Sequence, residues 1–388
     1  MEQEIEKLKD QFCERFASVP RFFQAPGRVN LIGEHTDYND GFVMPFAIDR
    51  RTIAAAAARK DTTVNVYAAD MDESATFDLS DQPQKKRGTW MDYVEGSARC
   101  VAERFGASLS GADLIITSTV PMGAGLSSSA AIEIAVGYAL LSVNDIAVDL
   151  QELAFAAQKA EHEFVGTRSG IMDQFAAVFG KSRNAMLLDC RSFDIDYVPI
   201  ADGETVVAAI DTKVKHNLAS SEYNTRRGEC ESGVAILQKH DGGVTSLRDV
   251  TMEMLDEHGH LLPENILRRC RHVVSENART VSAAEAFRKL DYTLAGELML
   301  KSHDSLRDDY EVSCAELDLL VATAKDIRGV YGARMTGGGF GGCTVNLVDK
   351  SAVEKLKDAA INKYSEAFGF EPDFYVFQAA NGASEVTG

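Results

Sequence analysis

The chain lacks any Cys-x-x-Cys pair. Its seven cysteines, Cys13, Cys100, Cys190, Cys230, Cys270, Cys314 and Cys343, are scattered, which excludes a disulfide framework or a zinc ladder and predicts buried thiols in a reducing compartment. No stretch reaches the roughly 18 uninterrupted apolar residues of a membrane span. The charged start, MEQEIEKLKDQF, has no apolar core of a signal peptide, so a cytoplasmic location is expected. Positive charge is also short: 40 Lys and Arg against 59 Asp and Glu leave a net charge of −19. Such a surface repels nucleic-acid phosphates and anionic membranes, and neither is expected as a partner. An anionic ligand would therefore need a local device.

There is no internal repeat and no low-complexity tract. The 388 residues, 45% hydrophobic and 26% charged, suit a soluble globular chain of two domains, with a boundary expected near residue 200. Ile5, Leu8, Phe12 and Phe16 fall at helical spacing and predict an amphipathic packing helix over 2–17. Short β-rich runs follow at 28–32, 42–48, 52–57 and 63–67, and a strand at 112–119. Helices are expected over 90–105, 130–143, 149–165 and 171–179, then around 217–240, 263–289, 292–303 and 314–329. Strands are expected at 185–189, 205–211, 344–348 and 373–378, with a helix at 352–368 between the last two.

Between the strand ending at 119 and the helix beginning near 130 stands Pro121-Met-Gly-Ala-Gly-Leu-Ser-Ser-Ser-Ala130. A glycine turn leading into a helix exposes unpaired N–H groups that can cradle a polyphosphate, and the serines add donors or a magnesium ligand. The alternative is a set of serines that only caps a buried helix. It is not a Walker loop, since no Lys follows the glycines; Gly180-Lys181-Ser182 has the right ending, but Phe175 occupies the required first glycine position. The five glycines among residues 337–342 formally match a dinucleotide fingerprint, yet a β-branched run follows where that motif needs a helix. They mean close backbone approach to something, or a tightly packed turn.

The segment 28–41 is dense in polar side chains. Glu34, His35 and Asp37 could exchange hydrogen bonds with a small polyol, or belong to a solvated acidic turn. In the helix expected over 149–165, Glu161 follows Ala157 by four residues and precedes Phe164 by three, which puts a carboxylate on the packing face. Such a group needs a cation, a metal or strong donors beside it, or it belongs to a structural ion pair. Asp173 opens the next helix, where the dipole favours an acid. His162, His258 and His260 lack further ligands at metal spacing and are read as structural or solvated.

Three ordered motifs carry a resemblance. Gly27-Arg-Val-Asn-Leu-Ile-Gly-Glu-His-Thr-Asp-Tyr38 resembles the galactokinase signature. The loop 121–130 is similar to the phosphate loop of the GHMP small-molecule kinases, and Arg334-Met-Thr-Gly-Gly-Gly-Phe-Gly-Gly-Cys343 to their third motif. The resemblance implies an α/β (α+β) two-domain GHMP kinase fold. An N-terminal mixed-sheet domain (1–200) would meet a ferredoxin-like C-terminal domain (201–388), with the active site between them. It implies transfer of the ATP γ-phosphoryl group to the C1 hydroxyl of α-D-galactose. Asp173 would be the catalytic acid/base residue with Arg28 as its partner, and Ser129 and Glu161 would hold Mg2+. Gly123, Ala124, Gly125, Leu126, Ser127, Ser128 and Ser129 would cradle the triphosphate, and Glu34, His35, Thr36, Asp37 and Tyr223 would contact the sugar. A monomer or weak homo-oligomer is expected. Two rivals remain: a GHMP kinase for another sugar, such as N-acetylgalactosamine or arabinose, and a non-catalytic galactose sensor. The uninterrupted serine run and the presence of Arg28, Glu161 and Asp173 favour catalysis over sensing.

Overall fold

The computed structural model describes residues 2–200, 203–215 and 219–386. Its first layer is a six-stranded sheet running, edge to edge, Ser384–Val386, Arg21–Asn30, Pro45–Ala58, Ala112–Ser118, Thr63–Ala68 and Glu73–Asp78. All neighbours are antiparallel except Thr63–Ala68 beside Ala112–Ser118, so the sheet is mixed, as expected. The expected N-terminal helix is present as Glu2–Phe16. It lays Ile5, Leu8 and Phe12 on one face of this sheet, against Phe22, Ile53 and Ile115. The other face carries the helices Met91–Arg104, Ser128–Val143 and Leu150–Ala160, whose Val94, Val101, Ile134, Leu140 and Leu153 join Val64, Leu114 and Ile116 in the largest core. Burial of each such side chain contributes roughly 1.5–3 kcal/mol.

The second half contains a four-stranded antiparallel sheet in the order Val330–Met335, Gly341–Asp349, Thr205–Lys215, Asp373–Phe377. Read along the chain, strand, helices, strand, strand, the helix Val353–Phe368 and a last strand give the split βαβ order of a ferredoxin-like domain. A small third sheet, Phe42–Val43, Asn184–Asp189 and Ile195–Pro199, is built wholly from the first half.

The expected boundary falls at residues 201–202, outside the described residues, as does the start of the helix expected around 217–240. The two halves also interlock. The strand Ser384–Val386 returns to pair with Arg21–Asn30, and one core cluster mixes Val29, Leu31 and Phe46 with Phe287, Met299, Val345 and Leu347.

Local differences from the sequence reading have physical causes. The strand Glu73–Asp78 is polar and sits at a sheet edge, so no alternation announces it. Val330–Met335 carries Gly332 and Arg334 where apolar residues would signal a strand, and both are inside the protein. The helix expected over 149–165 is α-helical only over Leu150–Ala160. It then widens into a π turn, Glu161–Val165, and ends at Gly166.

Candidate active site

Arg28 lies on the strand Arg21–Asn30 where pairing with Pro45–Ala58 slips between Pro26 and Arg28. The guanidinium is buried and makes a two-pronged ion pair with Asp173, Nε to Oδ1 at 2.7 Å and Nη2 to Oδ2 at 3.0 Å. Its third nitrogen, Nη1, donates to the Gly125 carbonyl at 2.6 Å. Asp173 stands in the first turn of the helix Met172–Phe179 and also accepts from the Ser127 hydroxyl at 2.6 Å. One side chain thus joins the expected acid/base residue to the expected phosphate loop.

That loop is a chain of left-handed residues, with φ of +75° at Gly123, +74° at Gly125 and +59° at Ser127. Alternation of this kind turns successive N–H groups toward one side and makes an anion-binding hollow. No side chain caps the helix Ser128–Val143, so the bland reading of the serines as caps is not what the structure shows. The glycine cluster explains itself by proximity. A Cβ on Gly337 would stand 3.1 Å from the Gly125 carbonyl, and one on Gly342 would stand 3.2 Å from that of Ala124. The third motif is packed on the phosphate loop backbone to backbone.

Glu161 is buried and accepts hydrogen bonds from Ser169 Oγ at 2.6 Å, Gln174 Nε2 at 3.1 Å and Ser129 Oγ at 3.3 Å. No Lys or Arg pairs with it among the described residues. Burial and the nearby Asp173 push its carboxyl upward, against the opposing pull of its donors. A buried acid with donors but no cation fits a site for a hard cation: Mg2+ typically takes one or two carboxylates and completes its shell with water and phosphate. Among the described residues no group of three or more His, Cys, Asp or Glu could hold a metal without such help.

Glu34 is more fully engaged than the sequence reading implied. Its Oε2 accepts from Arg334 Nη2 at 2.6 Å and Asn30 Nδ2 at 2.8 Å, and its Oε1 from the Gly337 amide at 2.8 Å. It clamps the first motif to the third while one edge faces the cleft. His35 takes a left-handed φ of +62°, and its ring packs at a tilt against that of Tyr223, with centroids 5.3 Å apart. Burial, then the neighbouring His272, holds the imidazole well below its ordinary value, so it is neutral. Asp37 accepts from the Tyr38 amide. Burial first and then Asp173 raise its carboxyl to about 7.

A single cavity of about 340 Å³ is lined by Arg28, Asp173, Glu161, Gly123, Gly125, the run Leu126 to Ser129, Glu34, His35, Asp37 and Tyr223. Two expected residues are not brought there. Thr36 is buried with its hydroxyl 2.9 Å from the Gly33 carbonyl and 2.7 Å from that of Phe42, so it holds the turn. The Ala124 methyl points into the core. The sequence reading missed Gly170, Arg334 and a narrow apolar slot that adjoins the phosphate loop at Ser128 and Ser129. Met71, Trp90, Tyr93, Ile116 and Met122 line that slot. Gly170 has a definite reason: a Cβ there would lie 2.0 Å from Asp37 Oδ2. A larger cavity of about 790 Å³, beside Arg183, Lys350 and Phe377, contains none of these residues.

Comparison with known proteins identifies the family. The galactokinase galactose-binding signature matches residues 10–58, the GHMP kinase N-terminal domain 92–181 and the GHMP kinase C-terminal domain 283–366. The chain is 46% identical to a galactokinase of Roseiflexus sp. (strain RS-1), covering 98% of this chain and 97% of that one. It is 48% identical to one of Chloroflexus aggregans, covering 99% and 98%. Among solved structures, Lactococcus lactis galactokinase complexed with galactose superposes with a TM-score of 0.94 at 36% identity, covering 98% of this chain and all of that one. The Methanococcus jannaschii mevalonate kinase, with a TM-score of 0.64 at 16% identity and 94% and 99% coverage, shares the fold alone. With the signature, the full-length relatives and the superposition in agreement, the chain belongs to the galactokinase family of GHMP kinases.

Proposed function

We propose that the cleft transfers the γ-phosphoryl group of ATP to the C1 hydroxyl of α-D-galactose, giving α-D-galactose 1-phosphate and ADP, as a step of Leloir-type galactose catabolism. The observation that carries this reading is the seating of Asp173. It lines one cavity with the phosphate loop and with His35, Asp37 and Tyr223, and Arg28 ties it to Gly125.

Phosphoryl transfer needs positioning and charge neutralisation more than covalent help. Asp173 Oδ2 already receives two donors, whereas Oδ1 receives only Arg28 Nε. A carboxylate oxygen accepts two hydrogen bonds, so Oδ1 retains a lone pair for the C1 hydroxyl and its proton. Arg28 orients the carboxylate and couples it rigidly to the loop that would hold the phosphates. His35, Asp37, Tyr223 and the free edge of Glu34 would hold the sugar, Asp37 with the room that Gly170 leaves it. The slot of Trp90, Tyr93 and Met71 would take the flat base of the nucleotide, and the left-handed turn from Gly123 to Ser129 its triphosphate.

Glu161 and Ser129 would hold Mg2+, which when bound neutralises charge on the triphosphate. Ser169 and Gln174 orient Glu161 for that task. The seven cysteines are unpaired, in keeping with a cytoplasmic enzyme. The site would lie between the halves 1–200 and 201–388, and the protein would act as a monomer or weak homo-oligomer.

Phosphorus NMR of the product tests the chemistry: coupling of the phosphate to the anomeric proton is expected, and an ester at any other carbon overturns the reading. Asp173→Asn should lose about 10²–10⁴-fold in ADP release while calorimetry still records galactose and ATP binding. Unchanged turnover would remove Asp173 from the mechanism.

A further inference from the structure

The proposed function uses four carboxylates and one imidazole, but behind His35 lies a chain of hydrogen bonds that it leaves unexplained. His35 Nδ1 is 2.8 Å from the Tyr38 hydroxyl, which is 2.7 Å from the Tyr310 hydroxyl, which is 3.1 Å from Cys230 Sγ. Three segments distant in sequence meet here: residues 35–38, Cys230 and Tyr310. Tyr310 comes from a second π turn, Leu306–Tyr310, closed by Glu311 at a left-handed φ of +56°. Arg226 pins that turn by donating to the carbonyls of Tyr310 at 2.8 Å and Glu311 at 2.9 Å. Irregular turns of this type often mark functional positions, and the other one among the described residues presents Glu161.

The chain of bonds has a preferred direction. A phenol O–H is a stronger acid than a neutral imidazole N–H, and an imidazole nitrogen is a stronger base than a phenol oxygen. Between Tyr38 and His35, which is neutral, the stable arrangement is therefore O–H to Nδ1. The Tyr38 oxygen then accepts from Tyr310, and the Tyr310 oxygen from the Cys230 thiol, each bond polarising the next. His272 packs at a tilt against Tyr310, ring centroids 4.6 Å apart, but does not compete, because its own nitrogens are engaged by Ser305 and by the Glu34 carbonyl. At the far end, His35 Nε2 is buried at the cleft with no protein partner in hydrogen-bonding geometry, although the Gly338 carbonyl lies close enough to favour a proton on the ring.

We propose that Cys230, Tyr310 and Tyr38 form a one-way relay that holds His35 as its Nε2–H tautomer, so that the cleft-side ring nitrogen presents a donor and not an acceptor to the sugar. The proposal rests on the reading that His35 faces the sugar. Tyr38 and Tyr310 are then positioning residues, acting through His35 without touching the substrate.

Two-bond proton–nitrogen correlations on the full chain labelled with 15N-histidine read the tautomer directly, with His35 assigned by the signal lost in His35→Gln. The wild type should show a protonated Nε2 and a bare Nδ1. Tyr310→Phe, which removes one oxygen and no volume, should turn that pattern into a mixture. It should raise the galactose KM by about five- to tenfold, the worth of one hydrogen bond, with kcat changed by less than about twofold. Tyr364→Phe, which deletes a buried hydroxyl bonded to the Thr212 carbonyl, should move neither quantity. A protonated Nδ1 in the wild type overturns the relay, and needs no variant to be seen. So does a Tyr310→Phe enzyme with unchanged tautomer and KM. Saturating galactose separates the underlying reading: if it leaves the His35 nitrogens unmoved, His35 does not face the sugar, whatever the tautomer.

Discussion

Two carboxylates face the same cleft and are treated in opposite ways. Asp173 has a fixed counter-charge: Arg28 grips both of its oxygens, and Ser127 adds a third donor. Glu161 has three neutral donors and no cation among the described residues, and the charge on Asp173 makes its ionisation harder still. The difference teaches which charge the fold supplies and which it leaves to be supplied. Asp173 must keep one orientation through every turnover, so its partner is built into a strand. On the proposed reading Glu161 would meet a cation that arrives with the nucleotide, which accounts for a buried carboxyl whose ionisation is disfavoured until then.

Removing the counter-charge from one carboxylate and the charge from the other should have opposite consequences for the free protein. Arg28→Met leaves Asp173 without its partner. It should cost about 3 kcal/mol in urea unfolding and at least about a thousandfold in kcat by coupled ADP release. Glu161→Gln should lower activity by about a hundredfold and raise the magnesium needed for half-maximal rate, yet leave the metal-free protein more stable, because a disfavoured charge is gone. If Glu161→Gln unfolds at lower urea than the wild type, the contrast between the two acids is wrong.

A smaller effect tests the sugar side of Asp173. Gly170→Ala would set a methyl 2.0 Å from Asp37 Oδ2, and should raise the galactose KM about tenfold with the ATP KM unchanged. The last effect leaves turnover aside and concerns stability in the absence of sugar. In the fold, Asp37 holds its proton up to about pH 7, because of burial and then Asp173. The unfolded chain releases that proton near the ordinary carboxylate value, so between the two the unfolded state binds fewer protons and stability falls as pH rises. Urea midpoints of Asp37→Asn and the wild type should therefore coincide near pH 4 and diverge in favour of the variant toward pH 8. Parallel curves would show that Asp37 ionises normally.

Much of the scaffold was legible along the chain because its signals are local. The N-terminal helix follows from apolar spacing, and the strand-to-helix turn at 121–130 from glycines that only backbone demands explain. Helix phase alone put Glu161 on a packing face, and it is buried there. Other features had no local signal. Arg334 opens the third motif with no role of its own in the sequence, and its burial makes sense only beside Glu34, 300 residues away. Gly170 looks like a break between helices until Asp37 is placed against it. The π turns at 161–165 and 306–310 are invisible to a 3.6-residue period, which continues through them on paper.

By itself, the sequence determined the class of chemistry: an acidic chain with a glycine and serine loop for phosphate, a polar segment suited to a polyol, and three ordered motifs of one kinase family. Only the tertiary structure decided which acid receives a built-in cation, which hydroxyls are spent on holding turns, and which way a buried imidazole is oriented. The reason is physical. Spacing along a chain encodes helices, strands and turns, which are short-range, whereas the charge balance and hydrogen-bond direction of a site depend on groups that become neighbours only when distant segments pack.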